Sequence, residues 1–380
     1  MILIQNANVY APAPLGRKDV LVCGGRIEQI ADHIDTGSTP CRVINGAGKI
    51  LVPGLIDQHV HITGGGGEGG FHTRAPELQL SELILGGITT VVGLLGTDGS
   101  TRSVENLYAK TMALNEEGVT AYMLTGSYSV PGPSITGDPE RDIMYCEKVI
   151  GIKVALSDHR SSNITSKELI ELGSKARLAG MLSGKAGILA IHMGNGKRGL
   201  KSVWKALENS DIPIGVFRPT HMGRSKKLRE EGREFMKAGG YVDITCSSRH
   251  PGAAGKYIRE AMAEGAPLEH ITVSSDGHGS WSTYDAQGNL LQMGVAGVDS
   301  LLAELRDMVR DKQFALENAL PFFTSNVAAG LGLAGKKGEI REGADADLLL
   351  LDEQMNPDAV IALGEAMLLD GKLQRKGTYE

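Results

Sequence analysis

Eight apolar, β-rich segments recur along the chain at 55–61, 88–95, 120–128, 149–158, 187–194, 214–221, 241–248 and 271–277. Between them, stretches at 76–85, 104–117, 167–182, 225–237 and 255–264 carry apolar residues at helical spacing. Strands separated by helices cannot return through a hairpin, so they run parallel under crossover helices. Eight such units over about 280 residues fit a (β/α)8 barrel, whose usual size is ~250 residues. A doubly wound open sheet is the competing arrangement. Residues 1–52 read instead as short strands with a Gly24-Gly25 turn. After two further helices, 336–351 is β-like again, as is 372–376. Head (1–52) and tail (336–380) are therefore expected to form one small β domain beside a barrel domain at 53–335.

Composition removes several alternatives. The 51 glycines among 380 residues follow no three-residue period, which excludes collagen, and 41% hydrophobic content excludes disorder. The net charge of −6 carries no long block of one sign, so nucleic acid is not an expected partner. Cys23, Cys41, Cys146 and Cys246 lie far apart and read as buried thiols in a reducing compartment. The first ten residues alternate like a strand rather than a secretion signal, and no apolar run approaches the ~20 residues that span a bilayer. A cytoplasmic protein without a membrane partner is expected.

The chemistry-bearing residues fall at strand ends. In Asp57-Gln58-His59-Val60-His61 the two histidines are two apart, so both imidazoles project from one face of the first strand. His192 ends the fifth strand, His221 the sixth, and Asp276 the eighth. Barrel active sites occupy that C-terminal face, and imidazole with carboxylate is a donor set for zinc or a similar divalent ion. Lys153 interrupts an otherwise apolar strand, where a bare ammonium is costly to bury. It either pairs with a carboxylate such as Asp158 or has become a carbamate through carbon dioxide, an anion able to bridge two metals.

This pattern resembles the binuclear branch of the amidohydrolase superfamily, including the entry Pro53-Gly54-Leu55-Ile56-Asp57 and the distal Gly343-Ala344-Asp345-Ala346-Asp347-Leu348. Within it the chain is most similar to the isoaspartyl (β-aspartyl) dipeptidases. The distinctive stretch is Gly64-Gly65-Gly66-Gly67-Glu68-Gly69-Gly70, supported by Gly93-Leu94-Leu95-Gly96-Thr97-Asp98, Leu124-Thr125-Gly126-Ser127-Tyr128, Ser157-Asp158-His159-Arg160-Ser161 and Ser274-Ser275-Asp276-Gly277. The resemblance implies a TIM-like barrel with a β-sandwich, two divalent ions, zinc foremost, and a carbamate on Lys153. His59 and His61 with Asp276 would hold one ion, and His192 with His221 the other. A hydroxide between them would attack the isopeptide carbonyl, with Asp276 as general acid and base and Tyr128 polarising the carbonyl. Glu68 would hold the substrate's α-ammonium, Arg160 and Arg224 its carboxylates, and Gly66, Thr97 and Ser280 would add polar contacts. The resemblance also implies a homo-oligomer.

His278 departs from the expected small or amide side chain and puts local substrate contacts in question. His72 and His159 receive no task. A cyclic amidase such as a dihydroorotase or hydantoinase shares the metal site, but dihydroorotases usually carry an arginine where this chain has Thr63. A catalytically silent scaffold is the alternative of another class, and the intact six-residue metal set argues against it. The run Gly194-Asn195-Gly196-Lys197-Arg198-Gly199 lacks P-loop spacing, and neither H-E-x-x-H nor G-x-S-x-G occurs.

Overall fold

The computed structural model describes residues 1–247, 250–285, 287–311 and 314–380. Ser248, the last residue of the predicted seventh strand, lies outside the described residues. Eight parallel strands are present: Leu55–Val60, Ile88–Gly93, Thr120–Gly126, Val149–Leu156, Ile188–Met193, Phe217–Thr220, Val242–Thr245 and Ile271–Ser274. The first six pair in sequence order and the last two pair with each other. One seam is spanned by Met222 N donating to Asp243 O at 3.2 Å, the other by His61 N donating to Gly277 O at 2.9 Å. The sheet thus curls into a closed barrel. Strands such as Val149–Leu156 are buried at every residue, which is why they read as unbroken apolar runs.

Local signals set the helix limits. Val104–Glu117 starts where the Ser103 hydroxyl accepts from Asn106 N, and ends at Gly118, whose φ of 107° suits glycine. Ser166–Ser183 opens on a capping box between Thr165 and Glu168. The predicted 76–85 helix is shorter, Leu80–Leu85, and the sixth strand begins only at Phe217, because Ile214–Val216 forms a 3-10 turn after Pro213. Helices Pro139–Tyr145 and Lys201–Glu208, and the antiparallel hairpin Ser280–Tyr284 with Leu290–Val295, are additional to the sequence reading.

The two ends of the chain meet in a nine-stranded sheet, where Ile50–Pro53 lies between Ile2–Tyr10 and Leu348–Leu351. This sheet folds over its own apolar face, which includes Ile4, Val20, Ile27, Leu348 and Ile361, and Arg26 bridges back to Asp345. The stretch 336–347 is turn rather than strand: Gly338 and Gly343 adopt positive φ, and the buried Lys337 ammonium contacts Asp345 at 3.0 Å and Asp347 at 2.5 Å. Of the cysteines only Cys246 is buried; Cys23 ends its strand facing outward and is exposed. No helix among the described residues is long and apolar enough to cross a membrane.

Candidate active site

The C-terminal ends of the barrel strands bring His59, His61, Lys153, His221 and Asp276 together and leave His192 beside them. His59 lies in the first strand and His61 follows it, on the same face. His221 and Asp276 follow the sixth and eighth strands with φ of 63° and 56°. A left-handed conformation costs a non-glycine residue roughly 1–2 kcal/mol, and such strain concentrates where a side chain must be aimed. Donor atoms of His59, His221 and Asp276 lie within 4.8 Å of one another. Asp276 Oδ1 is 3.2 Å from His61 Nε2 and 3.6 Å from His59 Nε2, and Lys153 Nζ is 3.0 Å from His59 Nε2. His192 packs beside His221 with ring centroids 4.5 Å apart, outside the converging group. Its Nδ1 meets Tyr128 Oη at 2.6 Å and its Nε2 meets Asp158 Oδ2 at 3.0 Å.

A divalent cation fits this donor set. His221 Nε2 is buried without a hydrogen-bond partner among the described residues, a state that metal coordination would relieve. Burial drives His59 and His221 well below the ordinary imidazole pKa and His192 down to about 3, so all three are neutral, the form that ligates metal. Burial alone would raise Asp276, but the hydrogen bond from His61, with the imidazole of His59 and the amine of Lys153 close by, outweighs it and holds the carboxylate ionised. Burial pushes Tyr128 upward, so its hydroxyl keeps its proton. Lys153 is fully buried, and burial lowers its amine to about 7. The alternative ion pair with Asp158 does not form: Arg160 holds that carboxylate through Nε at 2.9 Å and Nη2 at 2.8 Å.

A second cluster adjoins the first. Glu68 receives the Ser280 hydroxyl at 2.7 and 2.9 Å, Arg160 Nη1 at 3.0 Å and the Thr97 hydroxyl at 3.4 Å. Arg224 Nη1 donates to Met193 O at 2.9 Å and lies 3.3 Å from His192 Nε2. The Gly66 backbone is bridged to that of Arg74. The His278 ring points away from Glu68 and bonds Pro76 O at 2.9 Å and Glu82 at 3.0 Å, so it braces helix Leu80–Leu85. His159 packs edge-on against Tyr284. The sequence marked Asp158 only as a possible partner of Lys153, whereas it links His192 to Arg160; it marked neither Thr245, whose hydroxyl is 2.5 Å from His221 Nδ1, nor the hairpin that starts at Ser280. An aspartate two residues before an arginine at a strand end was the available signal for the first.

The sequence profile of the amidohydrolase family matches residues 50–367. The chain belongs to the amidohydrolase family. As a member it is a hydrolase, with the metal-type donor group of its barrel at the strand ends. A solved β-aspartyl dipeptidase from the thermophilic, keratin-degrading Fervidobacterium islandicum AW-1, in complex with β-Asp-Leu dipeptide, is 42% identical over 98% of this chain and 97% of its own, with a TM-score of 0.94. A dihydroorotase from Bacillus cytotoxicus is 23% identical over 91% of this chain and 88% of its own. A D-hydantoinase (dihydropyrimidinase) from Thermus sp., 17% identical over 99% of this chain and 97% of its own at a TM-score of 0.70, shares the fold.

Proposed function

We propose that this amidohydrolase cleaves the isopeptide bond of β-aspartyl dipeptides, using two divalent ions, zinc foremost, and a carbamate on Lys153. The observation that carries the reading is the buried carboxylate of Glu68, grouped with Thr97, Arg160 and Ser280 beside the metal-type donors. A carboxylate placed there suits a free α-ammonium, and the 42% identical β-aspartyl dipeptidase supports the same substrate class. His59, His61 and Asp276 would hold one ion, His192 and His221 the other. An amine with a pKa near 7 is about half uncharged at neutral pH, so Lys153 can add to carbon dioxide and release one proton, and the resulting carbamate would be the anion shared by the two ions.

Bound dications supply Lewis acidity and lower the pKa of water. Ionised Asp276 takes the proton of the attacking water as the new C–O bond forms, then gives it to the departing amine as the C–N bond breaks. Protonated Tyr128 donates to the carbonyl oxygen, where negative charge develops. Arg160 and Arg224 meet the substrate's carboxylates, and Gly66 adds a backbone contact. The same reading carries a homo-oligomeric, cytoplasmic enzyme without nucleic-acid or membrane partners. It also assigns the chemistry to a domain at 53–335 and support to a β domain of 1–52 with 336–380. Thr63, in place of the arginine usual in dihydroorotases, counts against a cyclic amide substrate.

Glu68→Gln tests the assignment. The variant is expected to lose about tenfold or more in kcat/KM on β-Asp-Leu, with little change on the N-acetylated dipeptide. Equal losses on both would remove Glu68 from ammonium recognition.

A further inference from the structure

Glu68 is carried by a glycine-rich loop whose backbone has little intrinsic preference for one shape. At Gly64, with φ of 78°, a Cβ would lie 2.2 Å from Ala75 O, so the two arms of the loop touch at their neck. Ala75 N donates to Gly65 O at 2.9 Å, and Gly67 N to Thr73 O at 3.2 Å. Arg102 enters this neck from the segment after the second barrel strand. Its guanidinium donates to the carbonyls of Thr63, of Gly65 at 3.1 Å and of Ala75 at 2.9 Å, which span both arms. The residue is 7% exposed.

All three acceptors are backbone carbonyls. A buried guanidinium is costly to desolvate, and an apolar side chain would fill the same space without that cost. The cation adds geometry: a rigid planar fork that fixes several carbonyls at once. Arg74 makes the reverse connection, donating to Thr101 and, at 2.9 Å, to Asp98. Asp98 follows Thr97, whose hydroxyl reaches Glu68. Two crossed arginines therefore staple the Glu68 loop to the Thr97 loop.

We propose that Arg102 is a positioning residue: it locks the neck of the glycine loop and thereby aims the Glu68 carboxylate at the substrate's ammonium without touching the substrate. The kinetic consequence rests on the dipeptide reading above, whereas the locking itself does not.

The test uses the metal-replete wild-type protein with Arg102→Met, Arg102→Lys and the Glu68→Gln/Arg102→Met double variant. Amide hydrogen exchange across 63–75 is expected to accelerate about tenfold or more in Arg102→Met, and metal content to stay at the wild-type value. KM for β-Asp-Leu is expected to rise about tenfold, while the N-acetylated dipeptide changes little. Arg102→Lys should recover part of the loss, and the double variant should be no worse than Glu68→Gln alone, because both changes remove one function. Unchanged exchange across 63–75, equal losses on the free and acetylated dipeptides, or multiplying losses in the double variant would overturn the proposal. A wild-type protein inert toward β-Asp-Leu would refute the dipeptide reading, and exchange would still decide the role of Arg102.

Discussion

Lys153 occupies a strand buried at every position, and burial brings its amine down to about 7 within 3.0 Å of a histidine nitrogen. The uncharged form of an amine in that place is a nucleophile for carbon dioxide. Lys153→Ala is expected to lose metal relative to the wild type, with activity partly restored by added short carboxylic acids; elemental analysis showing full metal content would contradict the carbamate. The metal-type residues were legible in the sequence because ionisable side chains at the ends of apolar strands stand out. Asp158 was not, since its role depends on His192, 34 positions away, and on an arginine fork whose direction no spacing reveals.

At the scale of elements, the barrel strands were legible because burial on both faces leaves long apolar runs. The hairpin Ser280–Tyr284 with Leu290–Val295 was not: its first strand is half-buried throughout and follows a metal-type ligand, where a loop is the default expectation. The elements also impose close approaches that no periodicity encodes. Gly96, just past the second barrel strand, lies so near His61 that a Cβ would sit 2.7 Å from the ring's Cε1. Gly96→Ala is therefore expected to displace His61, lowering metal content and reducing activity about tenfold or more. Wild-type metal content and rate in that variant would show that His61 can shift without consequence.

For the molecule as a whole, the meeting of head and tail was legible from β-like texture at both ends. Their fusion into one folded sheet was not, because the partner of Ile50–Pro53 comes from Leu348–Leu351 at the other end of the chain. Global stability should report the buried imidazoles. His59, His192 and His221 take up protons near 6.5 when unfolded, whereas in the fold burial holds His192 at about 3 and the other two well below 6.5. Their contribution is present above 6.5 and is lost as pH falls toward the folded values, since the unfolded chain then binds more protons. Urea midpoints of the metal-free protein are expected to fall between pH about 7 and about 4; a flat profile would contradict this. Substrate choice is tested most directly by offering the metal-replete protein β-Asp-Leu, α-Asp-Leu, dihydroorotate and hydantoin under one set of conditions. Hydrolysis of β-Asp-Leu, at least about a hundredfold faster than the other three, is the predicted result; comparable or faster turnover of α-Asp-Leu or of either cyclic amide would contradict it.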